Sequence, residues 1–214
     1  MTATQFATIY LVRHGQTEWN VQKITQGHQD SPLTALGREQ VSALKQELDS
    51  VHFDLFLTSD LGRAKETAEI LNLERRMAVV ATKALRERTF GRLEGRRSSE
   101  YRQELREEVE RYERLNGDEA FRFKLVPDME SDHELVTRIL RYLREVGVAY
   151  PGKTILMVTH GGVIRTLLAH LGFADIKELP GGSMSNAGYI KLRTDGVDFF
   201  LDEVQGVTKK VGSE

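Results

Sequence analysis

The chain has 214 residues, a formal net charge of −2 and no cysteine. The nearly balanced charge gives no overall attraction for nucleic acid or for an acidic membrane, so we expect neither as a partner. The absence of cysteine excludes disulfides, thiol nucleophiles and cysteine-based metal sites. Because 40% of the residues are hydrophobic and the first apolar run, Phe6 to Val12, is far shorter than the roughly 20 residues of a membrane helix, we expect a cytoplasmic protein with a sizeable core.

The first half of the chain alternates predicted strands with predicted helices. Its strands are short runs of apolar and β-branched residues, and each helix follows a residue type that caps helix N-termini. In chain order we expect a buried strand at 7–12, a helix capped by Thr34 that runs to about Asp49, a strand at 54–58, a helix capped by Ser59 or Asp60, and a strand at 78–80.

The second half begins with a segment dense in Glu and Arg, which is typical of an exposed helix with ion pairs between successive turns. We expect this helix from Ser98 to Leu115, then a helix opened by Ser131 that ends near Gly147, a buried strand at 154–159, an apolar helix from Val163 to His170, and a hairpin of 187–192 with 197–203 around Asp195-Gly196. The residues after Gly206 are expected to form a loose tail.

Strands that alternate with helices predict an α/β fold in which a mostly parallel sheet is covered on both faces. The sequence contains no internal repeat and no low-complexity linker. We therefore expect a single domain over residues 1–214, with a helical insertion at about 96–128 that lies over one end of the sheet.

Chemically reactive side chains follow several of the predicted strands. His14 and His160 each come directly after a buried strand, and each precedes a glycine that permits close backbone approach. Arg63 lies in the first turn of the helix after the second strand, and Glu87 follows the third strand. Because ligands of open α/β sheets bind beyond the carboxyl ends of the strands, we expect these groups, together with Arg13, to meet there.

This set of residues suits phosphoryl transfer from a monoester without a metal ion. Planar guanidinium groups stabilise the charge on phosphoryl oxygens with bidentate hydrogen bonds. Nearby arginines lower the pKa of His14, which keeps its imidazole neutral and nucleophilic. Glu87 is a candidate to protonate the leaving alkoxide and then to activate water.

A lone histidine after a strand is usually structural, so the spacing alone leaves the shared anion site open. On the same grounds we give structural or surface roles to His28, His52, His133 and His170.

Longer motifs around these residues resemble a known family. Leu11 to Asn20 reads LVRHGQTEWN, and similar blocks follow in the family's order at 26–34, 37–40, 58–68, 85–95 and 158–162. They resemble the histidine phosphatase superfamily, in the branch that contains cofactor-dependent phosphoglycerate mutases. The blocks span nearly the whole chain.

The resemblance implies a three-layer α/β/α sandwich and a phosphorylated histidine, with neither a metal nor another cofactor. By position, it implies His14 as the nucleophile, Glu87 as the proton donor, Arg13, Arg63 and His160 as the rest of the phosphate pocket, Asn20 and the Gly161 backbone N–H as further phosphate contacts, and Gln26 and Gly27 as contacts to the rest of the substrate.

Two segments depart from the family's pattern. Mutases of phosphoglycerate carry a Glu-Arg-His-Tyr-Gly segment and paired arginines soon after the proton donor, whereas here Arg96-Arg97 directly follows a Leu-Glu-Gly turn. Before the helix at Ser131, the family's Gly-Gly-Glu-Ser is reduced to Glu130-Ser131. We therefore expect a phosphatase that acts on a small phosphorylated metabolite. The alternatives are a phosphoglycerate mutase and a non-catalytic phosphate-binding domain, and the substrate and oligomeric state stay open.

Overall fold

In the computed structural model, which describes residues 5–210, six strands form a mixed sheet in the order β3-β2-β4-β1-β5-β6. The first four strands along the chain run parallel to one another. The fifth strand is antiparallel to the first, and the sixth is antiparallel to the fifth. The strands are β1 (Ala7–Arg13), β2 (Leu55–Ser59), β3 (Val79–Thr82), β4 (Thr154–Thr159), β5 (Met184–Thr194) and β6 (Phe199–Val207).

Eight α-helices lie within the described residues, with short 3₁₀ turns at Lys83–Leu85 and Gly91–Leu93. The long helices begin at or close to their predicted caps, because the Thr34 hydroxyl accepts from the Gly37 N–H and Ser131 forms a reciprocal capping box with Glu134. The helices are α1 (Glu18–Gln22), α2 (Ala35–Glu47), α3 (Gly62–Asn72), α4 (Ser98–Glu104), α5 (Arg106–Arg114), α6 (Gly117–Arg122), α7 (Asp132–Ala149) and α8 (Gly161–His170).

The sheet has a hydrophobic layer on each face, so the predicted three-layer sandwich is confirmed. Side chains alternate between the faces along β1: Ile9 and Leu11 pack with α7 and α8, whereas Tyr10 and Val12 pack with α2 and α3. The strand β4 is buried in the same way on both faces. This double burial explains why its sequence is continuously apolar.

Several predicted boundaries were wrong, each because of a contact distant in sequence. Neither Ser59 nor Asp60 caps α3; its first backbone N–H groups donate instead to the carboxylate of Asp30, at Gly62 and Arg63. The expected tail after Gly206 is held in place as far as Lys210, whose N–H donates to the Glu178 carbonyl at 2.8 Å. Residues 211–214 lie outside the described residues.

The charged segment forms two helices rather than the single one predicted over 98–115. Leu105 separates α4 from α5 with φ −101° and ψ 39°, and its side chain is buried with Leu93, Tyr101 and Val126. The predicted ion pairs on this segment are confirmed at Arg106–Glu110 and Arg114–Glu110. None of the helices over residues 5–210 is long and apolar enough to cross a membrane.

Candidate active site

Two histidines meet at the carboxyl ends of the central strands β1 and β4. These strands pair in parallel register with Arg13 opposite Thr159, so His14 and His160 each follow at the next position. The ring centroids lie 5.2 Å apart. The juxtaposition expected from the two strand ends is therefore present.

One ring nitrogen of His14 is engaged with the backbone and the other is free. Its Nδ1 lies 2.8 Å from the carbonyl oxygen of Gly15, which assigns the proton to Nδ1 and the lone pair to Nε2. The side chain is buried, and its pKa is held well below the ordinary value by this burial and then by the positive charges of Arg63 and Arg13. A neutral imidazole with a free lone pair is the reactive form for phosphoryl transfer.

His160 is buried beside it and is also neutral. Burial and the charge of Arg63 hold its pKa well below the ordinary value. Its Nε2 lies 2.9 Å from the hydroxyl of Ser59, which also accepts from the Leu61 N–H. The Ser59 hydroxyl proton is therefore available to Nε2, which leaves Nδ1 of His160 as a donor without a partner among the described residues.

Two arginines converge on the same place. A terminal nitrogen of Arg13 donates to the backbone carbonyl of Met184, and burial lowers the pKa of this guanidinium to about 10. Arg63 is almost fully buried on α3; its Nη atoms donate to the carbonyls of Gln29 and Gly27 and to the Asp30 carboxylate, at 2.7 to 2.9 Å. Both Nη atoms of Arg63 and one Nη atom of Arg13 therefore have protein partners, whereas the buried Nε of each side chain has none among the described residues.

Three buried polar side-chain atoms of residues 5–210 have no hydrogen-bond partner, and all three belong to this site. They are Nε of Arg13, Nε of Arg63 and Nδ1 of His160. Unpaired buried donors are costly, and native proteins keep few of them outside binding sites. Three such donors around a neutral imidazole form a site for an anion with several acceptor oxygens.

Glu87 is fixed at the edge of the site by two backbone donors. One carboxylate oxygen accepts from the Arg88 N–H at 2.8 Å and the other from the Gly162 N–H at 3.0 Å. A Cβ on residue 162 would lie only 2.3 Å from Oε1 of Glu87, so only glycine at this position lets the carboxylate keep its present place. The carboxylate is half-buried and lines the same cavity as His14.

The remaining predicted site residues divide into two groups. Asn20 presents a free amide: its Oδ1 accepts from Thr17 and Asn186, while its Nδ2 makes no hydrogen bond to the described residues. Gly161 is the first residue of α8, and a Cβ there would lie 3.0 Å from Nε of Arg13. The Cα of Gly161 therefore lies close to the guanidinium.

Gln26 and Gly27 form hydrogen bonds to neighbouring protein groups around the site. The Gln26 amide is engaged with Thr17 and Ser31, at 2.8 and 3.3 Å. The carbonyl of Gly27 accepts from Arg63, and a Cβ at Gly27, which has φ +54°, would collide with the Glu94 carboxylate. The structure places both residues in the cavity wall, where their polar groups hold neighbouring protein groups.

Several contributors to the site carried no recognisable signal in the sequence. Ser59 and the Met184 carbonyl orient His160 and Arg13, and Asn186 donates to both Asn20 and the His14 carbonyl. Met184 and Asn186 come from β5, which enters beside β1 only in the folded sheet. The close contact between Glu87 and the backbone of residue 162 had one signal in the sequence, the second glycine of His160-Gly161-Gly162.

The cavity around these groups has a volume of about 1070 Å³. Neither Arg96 nor Arg97 reaches it: Arg96 pairs with Glu104 on the surface, and Arg97 donates to the Gln22 carbonyl. Within residues 5–210, no three His, Asp or Glu side chains gather in a way that could hold a metal ion.

Comparison with known proteins places these features in one family. The model of the histidine phosphatase superfamily (branch 1) matches residues 9–205. The chain is 35% identical over 179 residues to an uncharacterized phosphatase PhoE of Bacillus subtilis, covering 84% of each chain. It is 37% identical over 163 residues to a probable phosphoglycerate mutase GpmB of Yersinia enterocolitica, covering 76% of this chain and 74% of the other. A solved structure of mycobacterial glucosyl-3-phosphoglycerate phosphatase, in complex with VO3, superposes with a TM-score of 0.77 at 26% identity over 94% of this chain and 99% of that one.

Proposed function

The chain belongs to the histidine phosphatase superfamily, and we propose that it hydrolyses small phosphomonoesters through a phosphohistidine formed on His14. The observation that carries this proposal is the set of three unpartnered buried donors around a neutral, correctly oriented imidazole. A phosphoryl group has several acceptor oxygens and a negative charge, and the two guanidinium ions of this site can donate to those oxygens and balance that charge.

In the first step, Nε2 of His14 forms a bond to phosphorus while the ester oxygen leaves with its electron pair. Glu87, in its protonated form, gives its proton to that oxygen, so the first product is a neutral alcohol. Arg13, Arg63 and His160 donate to the phosphoryl oxygens, with the amide of Asn20 and the Gly161 N–H as additional donors.

In the second step, the Glu87 carboxylate takes a proton from water while the water oxygen attacks phosphorus. The nitrogen–phosphorus bond breaks and its electron pair returns to Nε2 of His14. The products are inorganic phosphate, a free imidazole and a protonated Glu87, so the enzyme is ready for another cycle.

Mutase activity is the second candidate, because relatives with both kinds of name are similar to this chain. Two observations favour hydrolysis. Phosphoglycerate mutases have paired arginines after the proton donor. The adjacent arginines of this chain, Arg96 and Arg97, lie outside the cavity. The cavity is also large, and a mutase must keep its phosphoryl group away from water.

The testing experiment is phosphate release from a panel of phosphorylated metabolites in the presence of EDTA. We expect release that EDTA does not affect and that disappears in His14→Ala, together with an acid-labile phosphoenzyme in wild type only. His52→Ala, an exposed histidine away from the cavity, is the matched control. Isomer exchange without phosphate release would identify a mutase instead. Binding of inorganic phosphate with neither activity would favour a non-catalytic domain.

A further inference from the structure

The cavity continues well beyond the phosphate pocket. Its volume of about 1070 Å³ is at the upper end of the range of sites that enclose a drug-sized ligand, and it far exceeds a phosphate ion. The additional space must therefore accommodate the alcohol portion of the substrate or water. Which of these it suits depends on the side chains that line it.

One wall of this space comes from the helical insertion and is largely apolar, although Ser98 and Arg102 of α4 also line it. Tyr101 from α4, Val109 and Tyr112 from α5, and Phe123 and Leu125 after α6 all line the cavity. They share it with His14, so the apolar wall and the phosphate pocket belong to one continuous space.

The packing of α5 shows that its part of this wall does not belong to the folded core. Leu105, Val109 and Tyr112 recur at helical spacing on one face, and Arg106, Glu110 and Arg114 form ion pairs along the helix. Yet no residue of α5 itself is buried. The insertion's own core uses Leu93, Tyr101, Leu105 and Val126, and leaves Val109 and Tyr112 half-exposed.

Tyr112 and Phe123 form a ring pair with centroids 5.7 Å apart, and both stay half-exposed in the cavity. The buried charges nearby already have partners: the Asp132 carboxylate accepts from both Arg88 and Arg165. The exposed Arg102 on α4 also lines the cavity, and the Arg111 guanidinium lies over the Phe123 ring, 5.8 Å from its centroid. The Tyr112 and Phe123 rings still offer the cavity aromatic surface, which gains most from contact with apolar groups.

We infer that the helical insertion binds an apolar leaving group, so that the substrates are phosphomonoesters of alcohols with a hydrocarbon chain or ring of six or more carbons. This inference rests on the proposed function, since it assigns the alcohol side of the same site. The phosphate pocket fixes the phosphoryl group, and Val109, Tyr112 and Phe123 contact the hydrocarbon.

Binding of alkylphosphonates tests the inference without requiring turnover, because their carbon–phosphorus bond is not hydrolysed. We expect the Kd, measured by calorimetry on the full chain, to fall from ethyl- to hexylphosphonate by at least about tenfold, since each buried methylene is worth up to about a fourfold change. A Kd that does not change with chain length overturns the inference. So does tighter binding of 5-carboxypentylphosphonate than of hexylphosphonate, which would indicate an anionic leaving group.

Two variants assign the effect to the insertion. Tyr112→Ser and Phe123→Ser should each reduce the chain-length dependence of the Kd several-fold. Tyr150→Ser, an exposed aromatic residue after α7, should leave the whole series unchanged. An undiminished dependence in both cavity variants would overturn the role of the insertion.

Phosphate release from ethyl and hexyl phosphate separates this inference from the proposed function, because the two alcohols leave about equally well. If both esters are hydrolysed at equal kcat/KM and the Kd of the phosphonates does not change with chain length, the protein is a hydrolase but the apolar subsite is overturned. A steep phosphonate series without any phosphate release retains the subsite and overturns the hydrolase.

Discussion

His14 and His160 face each other edge to plane, with ring centroids 5.2 Å apart, in a site that also contains the buried guanidinium group of Arg63 and the partly buried one of Arg13. Burial is the main reason that the pKa of each imidazole lies well below its ordinary value, and the charge of Arg63 is the next. Both rings are therefore neutral in the folded protein at neutral pH. Their neutrality has consequences for stability as well as for reactivity.

The folded protein should lose stability between pH 7 and pH 5. In this range the unfolded imidazoles, with pKa values near 6.5, bind protons that the folded ones do not, so acidification favours unfolding by up to about 2 kcal/mol for each histidine. Urea unfolding at pH 5, 6 and 7 measures the effect. Carboxylates with lowered pKa values, such as Asp132, lose their contribution only at lower pH.

The control for this prediction is a pair of histidine variants. His160→Gln should reduce the difference in unfolding free energy between pH 7 and pH 5 by up to about 2 kcal/mol, whereas His52→Gln, at an exposed position, should leave it unchanged. Identical pH dependence in both variants would contradict the neutral state assigned to His160.

Glu87→Gln should slow turnover selectively. Its carboxylate faces the cavity and is positioned by the N–H groups of Arg88 and Gly162. An alkyl phosphate needs protonation of its leaving oxygen, so we expect a loss of kcat on the order of 10²- to 10⁴-fold. Nitrophenyl phosphate, whose leaving group is stable as an anion, should lose much less. Equal losses on both substrates would remove Glu87 from the acid role, and Glu100→Gln on the surface of α4 is the control.

Gly162→Ala should reproduce part of this selectivity although Glu87 itself is retained. A methyl group at residue 162 would lie 2.3 Å from Oε1 of Glu87, so the carboxylate must move away from its two backbone donors. We expect a larger fall in kcat for alkyl phosphates than for nitrophenyl phosphate. Gly181→Ala, where the new methyl group meets nothing within 4 Å, is the comparison. If both alanine variants behave alike, the close approach of Gly162 has no catalytic importance.

Asp30→Ala should destabilise the protein more than Asp60→Ala does. Asp30 caps α3 and pairs with the buried Arg63 at 2.9 Å, so its loss should cost about 2 kcal/mol. Asp60 pairs only with Arg86, and both side chains of that pair are partly exposed, so we expect a loss of about 1 kcal/mol or less. Urea unfolding at pH 7 compares them, and a larger loss in the Asp60 variant would reverse the assignment of the cap.

The central part of the site follows from local sequence, and this explains why it was predictable. Arg13, His14 and His160 each lie at or directly after the end of a buried apolar strand, and the edge where parallel strands end is a general ligand site. Arg63 was predictable for a similar reason, since it opens the helix after β2.

The supporting contacts were not predictable, because each joins segments that meet only in the folded chain. Asp30 caps α3 from more than thirty residues away, and no local pattern distinguishes it from Asp60. Asn186 reaches Asn20 from β5. Leucine is a favourable helix former, so nothing in the sequence predicted a break at Leu105. The break between α4 and α5 follows from the burial of this side chain against Val126.

The register of β1 and β4 also has a consequence for how the protein folds. Arg13 and Thr159 are opposite each other although they lie in the first and last thirds of the chain, so the anion site forms only after a long loop has closed. Neither half of the chain, produced separately, should bind phosphate. An inhibitor that occupies the site would bind the native state alone, and it would raise the melting temperature in proportion to the logarithm of its concentration.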